Sequence, residues 1–126
     1  MHKRLTSSGF TLIELLITLA IMSLLVGMVI PNYQHNILAT QRDLAKMKLT
    51  TISLLQTDNF SRYQQLVELE NLAIDLSSST YQYSIDFAEN NHYTVIATAV
   101  GPQLNDSNCR QLSLDHNLVR LPAACW

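Results

Sequence analysis

The sequence predicts an α+β protein in which one long N-terminal helix packs on a four-stranded antiparallel β-sheet. Three observations predict it. Residues 15 to 30 carry no charge and are interrupted only by Thr18, Ser23 and Gly27. Apolar residues then recur at helical spacing as far as Leu55. From Tyr81 onward, apolar and polar residues alternate with the period of a strand. The chain has 126 residues, room for one small domain, and a formal net charge of -2.

The first element is the apolar run. A helix from Phe10 to Ile30 would be roughly 31 Å long, close to the thickness of a bilayer core. Lys3 and Arg4 precede the run and the next cation is Arg42. That asymmetry puts the N-terminus in the cytoplasm and the remainder of the chain outside. Glu14 lies four residues inside the segment, where a carboxylate costs roughly 2.5–3.5 kcal/mol on insertion scales. A secretory signal cut after the run does not account for it, and "VGMVIPNYQ" lacks a small-residue cleavage site. A plain membrane anchor leaves Glu14 equally unexplained. A cut between Gly9 and Phe10 gives the carboxylate a partner. Phe10 then carries a new α-amine, and residues 10 and 14 share a helical face. A carboxylate in the first turn also suits the helix dipole.

The stretch "GFTLIELLITLAIMSLLVGMVIPNYQ" resembles the N-terminal signature of the type IV prepilins almost residue for residue. The resemblance implies a basic leader from Met1 to Gly9, removed by a membrane prepilin peptidase, and N-methylation of Phe10. It implies that Glu14 sets subunit recruitment and register in a fibre. Secretion pseudopilins share this signature. Cutting after Gly9 removes Lys3 and Arg4, leaving six Lys/Arg against ten Asp/Glu, a net of -4.

The helix is expected to continue as an amphipathic half over residues 31–57. Ile37, Leu38, Leu44, Met47, Ile52 and Leu55 form the stripe expected to face the sheet. Gly27 and Pro31 mark a kink, because proline removes a backbone hydrogen bond and clashes with the carbonyl four residues back. By resemblance this segment melts when the subunit enters a fibre. Residues 58–80 end in a serine run and correspond to the variable αβ-loop of pilins, with a short helix or irregular turns expected.

The sheet with its C-terminal loop is expected over residues 81–126. "TYQYSIDF" alternates Tyr81, Tyr83, Ile85 and Phe87 on one face. "AENNH" turns the chain, with Asn90 and Asn91 tolerating positive φ. "YTVIATAV" returns. "RQLSLDHNLVRL" reads as a second hairpin, turning at Asp115-His116-Asn117, where asparagine tolerates the left-handed region.

Two cysteines, Cys109 and Cys125, lie near the C-terminus, and one disulfide is the default reading in an exported domain. It would contribute on the order of 3 kcal/mol in the chain-entropy picture. A metal site is the alternative, but no paired ligands accompany the two thiols. The tail is similar to that of PilE-type minor pilins through Gly101, Gln103, Asp106, Cys109, Leu112, Leu114, Cys125 and Trp126. Pseudopilins generally lack this tail, so it favours a pilus.

No phosphate loop, nucleophile elbow or metal-ligand spacing appears. His35, His92 and His116 are scattered, and Glu68 and Glu70 share no helical face. The expectation is therefore no enzyme, no cofactor and no metal. Arg110 and Arg120, expected as cross-strand neighbours with Lys46 and Lys48 near them, are the candidate DNA contacts, set against an acidic chain. The resemblance implies a minor pilin that supports adhesion, twitching motility or DNA uptake. It would be stored as a single-pass inner-membrane protein with a periplasmic domain, and would become extracellular in the pilus. Its partners would be major and minor pilins, the prepilin peptidase, the inner membrane, and DNA or a host surface. A type II secretion pseudopilin and a DNA- or surface-binding module displayed on the pilus are the competing roles.

Overall fold

The computed structural model describes residues 9–126, except the side chains of residues 31 and 32. The expected leader therefore lies outside the described residues, apart from Gly9. In chain order the elements are α1 (Leu12–Tyr63), β1 (Tyr81–Ala88), β2 (His92–Ala99), β3 (Gln111–Asp115) and β4 (Arg120–Leu121). Short 3-10 helices lie in three of the connections and after β4. The chain forms two compact units, Met1–Asn36 and Ile37–Trp126, and α1 contributes to both.

In the first unit, every described side chain from Leu12 to Ile30 is exposed. The stretch is long and apolar enough to cross a membrane. Its hydroxyls are satisfied within the helix. Thr18 donates to the Leu15 carbonyl and Ser23 to the Ala20 carbonyl, both at 2.8 Å. Such back-bonding lets a hydroxyl sit in hydrocarbon without an orphaned donor. α1 passes through Gly27 and Pro31 without a break.

In the second unit, α1 lies on a meander with strand order β1-β2-β3-β4, all pairs antiparallel. The register explains how helix and sheet fit. Tyr81 faces Ala99, Tyr83 faces Ala97, and Ile85 faces Val95 across β1 and β2. Leu112 and Leu114 face Ala97 and Val95 from β3. Large residues beside small ones leave a surface on which a helix can seat.

The helix seats only part of the expected stripe: Ile52 is buried and Leu38 and Leu55 are half-buried, but the buried face is centred elsewhere. Ala45, Leu49, Ile52, Ser53 and Gln56 are buried, whereas Ile37, Leu44 and Met47 are exposed. Spacing by 4, 3, 1 and 3 residues keeps the buried set on one face. Ser53 and Gln56 can lie on it because their polar groups find partners, Ser53 in Tyr93 of β2 and Gln56 in the Val67 backbone. Tyr93 fixes the approach, its hydroxyl bonding the Ser53 hydroxyl and carbonyl at 3.1 Å each.

α1 also runs past residue 57, to Tyr63. Thr57 and Asn59 return their side chains to the Ser53 and Leu55 carbonyls at 2.9 and 3.0 Å. Arg62 pairs with Asp58 at 2.9 Å. Polar residues that usually break a helix are here satisfied by it. The helix ends at Gln64, whose φ is 54°. A 3-10 turn at Leu69–Asn71 then leads to buried Leu72.

Candidate functional site

At the start of the helix, Glu14 has a local partner that spacing to residue 10 did not suggest. Its carboxylate accepts from the Thr11 hydroxyl at 3.3 Å and the Thr11 N–H at 3.4 Å. The Glu14 N–H donates back to the Thr11 hydroxyl at 3.4 Å. This is a reciprocal capping box, and its signature, Thr-x-x-Glu, is present at Thr11 to Glu14. Phe10 is exposed beside it.

The C-terminal motif is a set of joints between tail and helix. Gly101 has φ +56°, and a Cβ there would meet the Ser79 carbonyl at 3.2 Å. The position suits glycine on both counts. Gln103 is buried, and its amide donates to the Leu38 carbonyl at 3.1 Å and the Tyr81 hydroxyl at 3.2 Å. Asp106 receives Arg42 from the helix. The Cys109–Cys125 disulfide ties the last segment back to the start of β3.

The cations divide by what holds them. Arg42, Lys46 and Arg62 are each paired to a carboxylate. Lys48 donates to the Ser77 carbonyl at 3.1 Å and lies 5.6 Å from the centre of the Tyr83 ring. Burial, followed by the neighbouring Tyr81, pushes the Tyr83 phenol up to about 12. Arg110 donates to the Leu104 carbonyl at 2.9 Å, and Arg120 lies 5.4 Å from the centre of the Trp126 ring. Among the described residues, neither Arg110 nor Arg120 is in an ion pair.

Arg110 and Arg120 are not cross-strand neighbours. The register sets Arg120 opposite Leu114, four residues beyond Arg110 along the strand. The two arginines line separate grooves. Arg120 shares one with Lys46, Met47, Thr50 and Trp126. Arg110 lines another with Ser107, Asn108, Leu121 and Pro122. Lys48 belongs to a third, lined also by Leu44, Met47 and Tyr83. Lys46 therefore accompanies Arg120, and Lys48 does not.

Two of the histidines come together. The His92 and His116 rings stack with centroids 4.0 Å apart and planes 16° from parallel. Parallel rings cannot aim their nitrogens at one ion, so this arrangement is not a metal site. The Arg120–Trp126 contact was missed in the sequence, because only the short β4 strand and the final 3-10 turn bring position 126 back over position 120.

Comparisons with known proteins bear on both units. Residues 4–30 match the family model described as the prokaryotic N-terminal methylation motif. Residues 31–113 match the model described as "Type IV minor pilin ComP, DNA uptake sequence receptor". Among curated proteins no match is found. Among solved structures, a type IV pilin from Shewanella oneidensis is similar, with 25% identity and a TM-score of 0.59. That similarity covers 71% of this chain and 97% of the Shewanella chain.

Proposed function

We propose, from the premise that this chain belongs to the ComP family of type IV minor pilins, that it is a DNA receptor displayed on a pilus. It is a minor type IV pilin with the fold of that class, a structural subunit that associates with other pilins. We read it as a subunit and not as a catalyst. The observation that carries the receptor reading is Arg120. It has no carboxylate partner among the described residues and it lies over Trp126; Lys46, itself paired to Asp43, lines the same groove. A guanidinium held against an indole offers both a phosphate donor and a stacking face. Arg110, in a separate groove, is a second cation without a carboxylate partner among the described residues. The net charge stays negative, so the attraction is local to these side chains.

The route to display follows from the N-terminal segment. The leader is cut after Gly9 by the prepilin peptidase and Phe10 is methylated. The subunit waits in the inner membrane with its domain in the periplasm. Before assembly Glu14 is held by Thr11. On assembly it exchanges that contact for the amine of Phe10, its own or a neighbour's. The turn at Gly27 and Pro31 loosens as apolar side chains leave lipid for other pilin helices. The Cys109–Cys125 loop and the residues after α1 face outward.

The receptor reading is tested by DNA affinity of the full chain in detergent micelles, measured across salt concentrations. Each phosphate contact removed lowers the slope of log affinity against log salt by about one. Arg110→Ala with Arg120→Ala is expected to lower affinity and to reduce the slope by about two, while fibres still form. Unchanged binding in that double variant overturns the reading.

A further inference from the structure

The turn between β3 and β4 exposes apolar side chains in an unusual way. Leu118 has φ +64°. Asparagine tolerates this left-handed region because its side chain bonds locally, and leucine has no such compensation. Asn117 is adjacent, yet the strain falls on the leucine. The Leu118 side chain is 60% exposed, Val119 51% and Leu121 55%. Strained residues of this kind concentrate at ligand contacts.

The turn is held firmly. The Asp115 carboxylate accepts the Asn117 N–H at 2.9 Å and the Val119 N–H at 2.8 Å. The Leu118 N–H donates to the Asp115 carbonyl at 2.9 Å, and the His116 N–H to the Tyr93 carbonyl at 3.0 Å. The one carboxylate at the tip is thus engaged with backbone. Arg120 follows two residues later, over Trp126. The result is a rigid apolar tip flanked by a cation and an aromatic ring.

That combination suits a ligand with an anionic outside and a stacked, apolar inside, which is double-stranded DNA. Proteins that deform DNA push apolar side chains between base steps while cations hold the flanking phosphates. We propose that Leu118, backed by Val119, is a wedge that enters a base step of duplex DNA, with Arg120 and Trp126 on the adjacent backbone. The proposal rests on the receptor reading above and adds the mode of contact.

The test uses the full chain in detergent micelles and a short duplex selected from a random pool by the wild-type protein. The duplex carries 2-aminopurine at successive positions and a donor–acceptor dye pair at its ends. Unstacking raises 2-aminopurine emission, and bending raises energy transfer. Leu118→Gly removes the side chain at a position whose backbone suits glycine, so the turn is retained. The wild type is expected to raise emission severalfold at one step. Leu118→Gly is expected to lose that rise and about tenfold in affinity. Leu118→Gly acting like the wild type on both readouts overturns the wedge and leaves the receptor reading standing. Leu118→Gly that binds and unstacks DNA normally but fails to enter fibres also overturns it, and makes the tip a contact between subunits. A pool from which the wild type selects no duplex overturns the wedge and the receptor reading together.

Discussion

Arg42 on the helix grips Asp106 in the C-terminal tail with two hydrogen bonds, Nε to Oδ2 at 2.8 Å and Nη2 to Oδ1 at 2.9 Å, across 64 residues of sequence. The Asp106 side chain is 9% exposed and that of Arg42 24%. Gln103 adds a third donor to the same carboxylate at 3.2 Å. Helix, 3-10 turn and the start of the disulfide loop therefore meet at one group.

Asp106→Asn keeps the shape and removes the charge. A fully buried ion pair that loses one partner costs about 3–5 kcal/mol. Arg42 keeps some contact with water, so about 2 kcal/mol is expected, or a fall of about 10 °C in melting temperature. Circular dichroism of the chain in micelles measures it. Arg42→Lys is expected to lose most of the same stability, because an ammonium cannot make the two-pronged contact. A lysine variant as stable as the wild type would mean that the charge alone matters.

The Gln56 side chain closes a ring with Val67, donating to its carbonyl and accepting its N–H, the latter at 3.1 Å. The residues after the helix end are tied down there. Gln56→Ala leaves both backbone groups without a partner, a loss of about 1–3 kcal/mol where water cannot reach. Hydrogen exchange at the Val67 amide is expected to quicken about tenfold or more, with little change at Leu112 and Leu114. Exchange that quickens equally across the sheet would show that Gln56 supports the whole domain and not the loop.

Much of the fold was legible because its signals are local. The uncharged run, the Asn90-Asn91 turn and the alternation from Tyr81 each follow from a few neighbouring residues. The helix face was legible only in part, through Ile52 and, at its margin, Leu38 and Leu55. Size alone nominates Leu44 and Met47, but Ala45, Ser53 and Gln56 are buried, the last two with hydrogen bonds to Tyr93 and Val67. The left-handed residue of the second hairpin is Leu118 and not asparagine, a choice fixed by Asp115 binding two N–H groups. At the candidate site, Arg110 and Arg120 were singled out by charge. Their separation depends on register, and the Arg120–Trp126 contact depends on a chain reversal that no spacing rule encodes. The stacking of His92 on His116 has the same origin.

Glu14→Gln separates the capping of the helix start from the assembly role proposed for the same side chain. Glutamine at this position of a capping box still serves the helix start. It cannot neutralise an amine. The variant is expected to be inserted and cut normally but to fall severalfold in sheared fibres, read by immunoblot against the membrane fraction. Glu14→Ala is expected to fall at least as far. Normal incorporation of the glutamine variant would move recruitment from the charge to the cap.

Tyr83 gives the chain an alkaline limit. Burial raises its phenol from an ordinary value near 10 to about 12, and Tyr81 is also raised, chiefly by burial. Below pH 10 both phenols are protonated in folded and unfolded chains alike, so stability does not depend on them. Between pH 10 and 12 the unfolded chain releases the Tyr83 proton while the folded one keeps it. The unfolded state then binds fewer protons, and stability falls as pH rises. Urea midpoints are expected to be flat up to pH 10 and to decline above it. Tyr83→Phe removes that site's titration and is expected to make the decline shallower, with Tyr81 accounting for the remainder. Lys48 leans on the same ring, so the phenylalanine variant keeps the cation's aromatic seat and isolates the proton. An unchanged decline in Tyr83→Phe would place the alkaline loss in other groups and would mean that the ring at position 83 is wetter in solution than its packing against the helix implies.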